Sequence, residues 1–182
     1  MTEARERVAI FLDWQNLEGA FREMGGQPDI LALRDYLAAG RDLMETFVFA
    51  GIHPNHVEGN TRFQAFLRRE GFLVRTKPAK LVGNGQVRCN LDVEMALDAM
   101  EFAREVKPDI VVLGTGDGDF TPLAERLRLM GIRLEVAATP ATISGVLLEA
   151  ASGFIDLERA VRETSQEDTQ EEGGEHNGDG HH

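Results

Sequence analysis

The sequence predicts an α/β fold, a three-layer sandwich with helices on both faces of a mainly parallel central sheet. Three observations carry this. Two short runs, Val8 to Leu12 (VAIFL) and Asp109 to Leu113 (DIVVL), are almost wholly apolar, as in strands covered on both faces. Strand-like and helix-like segments alternate over residues 1 to 162, the pattern that winds a parallel sheet. A hydrophobic share of 42% suits one domain of ordinary size.

Taken in order, VAIFL is the first strand and runs directly into Asp13. Asn16 to Glu23 reads as a helix, and Gly25 to Pro28 (GGQP) then breaks the chain. Ile30 to Ala39 has helical spacing, with Ile30, Leu33 and Leu37 on one side. Glu45 to Gly51 (ETFVFAG) is rich in β-formers. Thr61 to Glu70 is a basic amphipathic helix, followed by a strand over Gly71 to Thr76. Lys77 to Arg88 holds GNG between short flanks, a hairpin signal. Leu91 to Val106 is a strong helix that Pro108 ends. DIVVL is the second buried strand. Pro122 to Met130 is a helix with proline in its first turn. Ile132 to Ala137 is a strand, Ser144 to Ala151 a helix, and Phe154 to Leu157 a last short strand.

Two regimes of composition follow. Residues 1 to 162 form the domain. Residues 163 to 182 read as an acidic, disordered tail, because they are too polar and Gly-rich to bury a core. The net charge of −12 argues against a nucleic-acid partner at first sight. Seven of the acids lie beyond Arg162, however, where no Lys or Arg occurs; without them 24 acids face 19 bases, a balance of −5. No apolar run approaches the roughly 20 residues that span a bilayer, and the N-terminal apolar run is too short for a signal peptide. A cytoplasmic protein without membrane contact is expected. The single cysteine, Cys89, excludes an internal disulfide or a multi-cysteine zinc site.

In a doubly wound sheet the site lies beyond the carboxyl ends of the strands, where strand order reverses. The residues just after the two buried strands are Asp13 and the loop GTGDGDF, which contains Asp117 and Asp119. Asp92 opens the helix after the hairpin. Gathered carboxylates repel one another, and a hard divalent cation, Mg²⁺ or Mn²⁺, relieves that repulsion through oxygen ligands. Such an ion serves phosphodiester hydrolysis. Each acid also has a plainer reading: Asp13 and Asp92 as helix N-caps, Asp117 and Asp119 as turn formers. Asp98 lies roughly 240° round an ideal helix from Asp92, so the two do not share a face. His53 and His56 flank a loop (HPNH) as a metal pair, a base or solvated residues. Separations beyond about 8 Å between the carboxylates would exclude a shared ion.

These residues carry a resemblance. VAIFLDWQNLEGAF, with Asp13, Asn16 and Leu17, resembles the opening motif of NYN domains, the PIN-like nucleases that include the LabA-like group. NLDVEMALDAM resembles their second block, with Asp92 and Asp98 at its acid positions, and DIVVLGTGDGDF resembles the third, a strand entering a Thr115-Gly116-Asp117-Gly118-Asp119-Phe120 loop. The resemblance covers residues 7 to 158. It implies a PIN-like, Rossmann-like fold and a metal-dependent endoribonuclease with Asp13, Asp92, Asp117 and Asp119 as metal-binding acids, supported by Asn16 and Thr115. One departure stands out: Cys89 occupies a position that is often basic in the family, with Arg88 one residue earlier. This leaves open a non-catalytic module that binds RNA or a protein.

For single-stranded RNA, the basic candidates are Arg75, Lys77, Lys80 and Arg88 around the hairpin, with Arg62, Arg68 and Arg69 on the preceding helix. Trp14 either stacks on a base or packs in the core. A phosphatase-like use of Asp13 as nucleophile is disfavoured, since Gln15 stands where such enzymes carry a second aspartate. The apolar segment Val146 to Phe154 suggests homo-oligomerisation.

Overall fold

The computed structural model describes residues 4–26, 29–81 and 87–171, with side chains of 81–88 and 165–171 excluded. Its centre is β1 (Arg7–Asp13). Val8 to Leu12 have no exposed surface, and they divide by alternation. Val8, Ile10 and Leu12 enter one core, while Ala9 and Phe11 enter the other. This explains why the run is uninterrupted by polar residues: both faces are covered.

The first core lies under α1 (Trp14–Glu23), α2 (Ile30–Ala38) and α3 (Val57–Arg69). The strands on this side of the chain are β2 (Asp42–Ile52) and β3 (Leu73–Pro78). A short antiparallel pair, β4 (Lys80–Leu81) and β5 (Val87–Arg88), leads into α4 (Asp92–Glu105). Then come β6 (Ile110–Gly114), α5 (Thr121–Leu129), β7 (Arg133–Ala138), α6 (Gly145–Ala150), β8 (Gly153–Asp156) and α7 (Leu157–Glu171). Helices α4, α5 and α6 cover the second core, and α7 returns to the first. Within the second core Phe11 stacks on its cross-strand neighbour Phe47, with centroids 4.5 Å apart.

The six-stranded sheet has the order β3-β2-β1-β6-β7-β8, and every pairing in it is parallel. The chain winds outward from β1 to β3, then returns through α4 to the other side of β1. The order therefore reverses between β1 and β6, and the crevice outside their carboxyl ends is where ligands bind in such sheets.

Strand and helix ends shift by up to three residues from expectation, and two helix boundaries differ by more. Helix α3 begins at Val57 rather than Thr61, because Thr61 donates its hydroxyl to the Val57 carbonyl at 2.8 Å; the Glu-Gly-Asn stretch reads as a turn by propensity alone. Helix α7 continues through Arg162 to Glu171. An Arg159–Glu163 pair at 2.6 Å and the buried Thr164, which donates to the Ala160 carbonyl, carry it across. The acidic residues 172–182 lie outside the described residues. No described helix is long and apolar enough to cross a membrane.

Candidate functional site

Three carboxylates meet at the β1/β6 crevice. One oxygen from each of Asp92, Asp117 and Asp119 lies within 4.8 Å of the others. Asp117 leaves β6 through a loop, Asp119 sits in a 3-10 turn, Gly118–Phe120, and Asp92 is the first residue of α4. Among the described residues no Lys or Arg forms an ion pair with any of them, or with Asp13.

The capping readings are partly true and do not compete with this grouping. Asp13 is the N-cap of α1, and its Oδ1 accepts from the Asn16 N–H at 3.2 Å. Its Oδ2 accepts from the Thr115 hydroxyl at 3.4 Å. Asp117 caps the 3-10 turn by accepting from the Asp119 N–H at 2.9 Å. Asp92 is not a cap, since Leu91 holds that position. Instead Asn90 brackets it: the Asn90 amide donates to Asp92 Oδ2 at 2.6 Å, and the Asp92 N–H donates to Asn90 Oδ1 at 2.9 Å. Asn90 was not singled out from the sequence, although an Asn two residues before a helix-opening Asp is an Asx-turn signal.

Asp13 stands beside the group of three rather than within it. Burial, offset in part by the Asn16 N–H, and then the charge of Asp92 push its carboxyl from 3.8 up to about 6. Burial also raises the Asp92 carboxyl, with Asn90 opposing it and Asp117 and Asp119 adding repulsion. Thr115, with no exposed surface, joins the strands' ends: it donates to Asp13 and accepts from the Asp117 N–H at 3.3 Å. Asn16 accepts from the Gly116 N–H at 3.2 Å.

The loop needs its glycines. A Cβ at Gly116 would collide with the backbone of Thr142, whose carbonyl carbon would be 2.8 Å away, and one at Gly118 would lie 2.7 Å from Ser144 Oγ. The loop is therefore pressed against residues 142–144, and the Ser144 N–H donates to the Gly116 carbonyl at 2.9 Å.

Other sequence candidates lie elsewhere. Asp98 pairs with Arg75 at 2.7 Å on the flank of α4 and does not join the three acids. Lys77 pairs with Glu94 at 2.6 Å and donates to the Asn90 carbonyl at 3.2 Å. These two cations are thus tied to α4 rather than free, though both remain about half exposed. Lys80 is exposed on β4, and Arg88 pairs with it in the hairpin, its side chain outside the described residues. Cys89 packs at the edge of the second core with its thiol raised by burial. Lys77, whose carbonyl accepts from Cys89 Sγ at 3.6 Å, brings an ammonium to this neighbourhood from the adjacent strand. Trp14 is 7% exposed and packs on Phe21 and Phe63, so it belongs to the core. His53 and His56 lie with ring centroids 4.8 Å apart, away from the acids.

The donor set fits a hard divalent cation. It consists of carboxylate oxygens with no basic partner among the described residues, and their spread of 4.8 Å is close to the roughly 4.2 Å between opposite oxygens of one Mg²⁺. Two like charges at that spacing repel by about 3 kcal/mol at an effective dielectric of 20. A cation is the simplest source of compensation.

Residues 7–158 match the family model described as the NYN domain. The chain is 31% identical over 160 residues to the low amplitude and bright protein LabA of Synechococcus elongatus, covering 83% of each. It is also similar to a crystal structure of a protein of unknown function, VPA0982, from Vibrio parahaemolyticus. There the TM-score is 0.71 and the identity 25%, over 88% of this chain and 98% of that one.

Proposed function

The chain belongs to the NYN domain family, and from that premise we propose that it is a Mg²⁺- or Mn²⁺-dependent endoribonuclease acting on single-stranded RNA in the cytoplasm. The observation that carries this reading is the convergence of Asp92, Asp117 and Asp119, with no basic partner among the described residues, at the point where strand order reverses.

In this reading Asp92, Asp117 and Asp119 hold the cation, with Asp13 as the fourth acid. The bound ion supplies charge stabilisation at the phosphoryl oxygens and acidifies a water. The chain's own residues do the rest. Asn90 fixes the Asp92 carboxylate, the Asp119 N–H fixes Asp117, and Asn16 and Thr115 hold the loop against Asp13. Asp13 stands beside the three acids, held by the Asn16 N–H and the Thr115 hydroxyl, and burial pushes its carboxyl up to about 6 in the metal-free chain. Lys77 and Arg75 on β3 and Lys80 on β4 are the cations offered to the phosphate backbone, with Arg88 as the fourth candidate, its side chain outside the described residues.

Cleavage of an unstructured RNA with Mg²⁺ or Mn²⁺, run beside Asp117→Asn, tests the reading. The variant should lose more than the 10- to 100-fold typical of residues behind metal ligands; equal activity in both proteins would sink it. A second reading, a non-catalytic module binding RNA or a protein, is favoured by Cys89 at the usually basic position. RNA binding with no cleavage under any divalent metal would select it. Self-association through the exposed Val146, Leu148 and Phe154 belongs to either reading and is settled by analytical ultracentrifugation.

A further inference from the structure

A second recess lies on the same carboxyl edge of the sheet, between α1 and α3. Its volume is about 470 Å³, within the range of small-ligand pockets. Ala50 and Gly51 form its floor, and the packed Trp14 and Phe63 rings form an apolar wall. The recess is further lined by Asn60, Gln64, His53, His56 and Arg22, with the acidic Glu18 one helical turn before Arg22, and the Asn60 amide donates to the His53 carbonyl at 3.4 Å. His53 Nδ1 accepts from the Asn55 N–H at 3.1 Å, so Nε2 carries the ring's N–H.

The recess is joined to the acids through shared residues. Gln15, which also lines it, follows Asp13 by two positions. A Cβ at Gly51 would lie 2.6 Å from Gln15 Nε2 and 2.8 Å from Cys89 Cβ. Cys89 is three positions before Asp92. The backbone at Gly51 thus sits against the segments that deliver Asp13 and Asp92.

The contents select a ligand class. Side-chain amides carry paired donors and acceptors that match base edges, imidazole rings stack on bases, and a guanidinium takes a phosphate. We propose that this recess seats one nucleotide of the RNA strand whose neighbouring phosphodiester reaches the acids. His56 is the exposed stacking ring, Asn60 and Gln64 read the base edge, and Arg22 takes the phosphate. The inference rests on the RNA reading above but is separable from catalysis.

Trp14 is the only tryptophan in the chain and reports on the recess directly. The full chain in EDTA is titrated with an unstructured RNA pentanucleotide and, separately, with adenosine monophosphate, following Trp14 emission. The pentanucleotide should give a saturable change, weakened about tenfold in His56→Ala and in Arg22→Ala, but not in Arg104→Ala, a remote and exposed arginine. Labelled RNA that binds by anisotropy while Trp14 emission and both variants stay unaffected would overturn the seat and leave the RNA reading intact. A response to the mononucleotide alone would overturn it in favour of a free-nucleotide site, and binding of neither probe would also overturn it. A Trp14 response in a protein that cleaves no RNA with metal would sustain the seat and sink the nuclease.

Discussion

The side-chain oxygen of Asn16 accepts a hydrogen bond from the Gly116 N–H at 3.2 Å, across a hundred residues of chain. It joins the first turn of α1 to the loop that carries Asp117 and Asp119. Asn16→Ala leaves that N–H without its partner, at a cost of about 1–2 kcal/mol, and frees the loop. The expected outcome is a lower urea midpoint together with a loss of RNA cleavage larger than the stability change explains. Unchanged cleavage would show that the loop is held by its glycine contacts alone.

Removing one of three crowded charges should stabilise the metal-free protein while weakening metal binding. Asp119→Asn is the cleanest case because Asp119 is exposed and its replacement disturbs little packing. In EDTA its Tm should rise by a few degrees. With Mg²⁺ or Mn²⁺ added, the wild type should gain more stability than the variant. A lower Tm in EDTA would mean that the three acids do not strain one another.

Stability of the metal-free protein should fall as pH rises from about 4 to about 6. The Asp13 carboxyl titrates near 6 in the folded chain against 3.8 for an unperturbed group, so in that window the folded state binds more protons than the unfolded one. By linkage the slope of stability with pH is negative there and flattens above about 6. Its full size is on the order of 2–3 kcal/mol. Asp13→Asn should flatten most of this slope in urea melts followed across the window, leaving the smaller part that the raised Asp92 carboxyl contributes. A variant curve parallel to wild type would remove Asp13 from the cause.

Arg75 and Lys77 should contribute to RNA binding through charge rather than through fold. Their pairs with Asp98 and Glu94 are half exposed, and such pairs contribute little to stability. Arg75→Ala and Lys77→Ala should each weaken RNA binding and lower the salt slope by about one, with little change in Tm. An unaltered salt slope would mean that the RNA passes elsewhere.

Much of this arrangement was legible because it follows from local rules. The uninterrupted apolar runs of β1 and β6 announce strands covered twice, and the acid at each strand's end then falls into the crevice by topology. What was not legible depends on pairs distant in sequence. Asp13 falls in the crevice by its place after β1, but its hydrogen bonds to Asn16 and Thr115, which hold it beside the other three acids, are not readable from that position. Asp98 has a motif position, but its place on α4 turns it towards Arg75. The engagement of Arg75 and Lys77 could not be read from charge counts, because their acidic partners lie on α4, twenty-three and seventeen residues away respectively. The start of α3 was missed because Gly59 and Asn60 are poor helix formers held by their context.

The position of β1 has a consequence for how the chain comes into being. This first strand is flanked by β2 on one side and β6 on the other, so its second edge has no partner until residues 110–114 have left the ribosome. A nascent chain with only its first half exposed carries an open, wholly apolar strand edge, the kind of surface that invites wrong pairings and chaperones. Asp13 is synthesised a hundred residues before Thr115, Asp117 and Asp119. The cluster of Asp92, Asp117 and Asp119 therefore cannot form until the β6 loop has been made, and any chemistry that depends on it waits for that point.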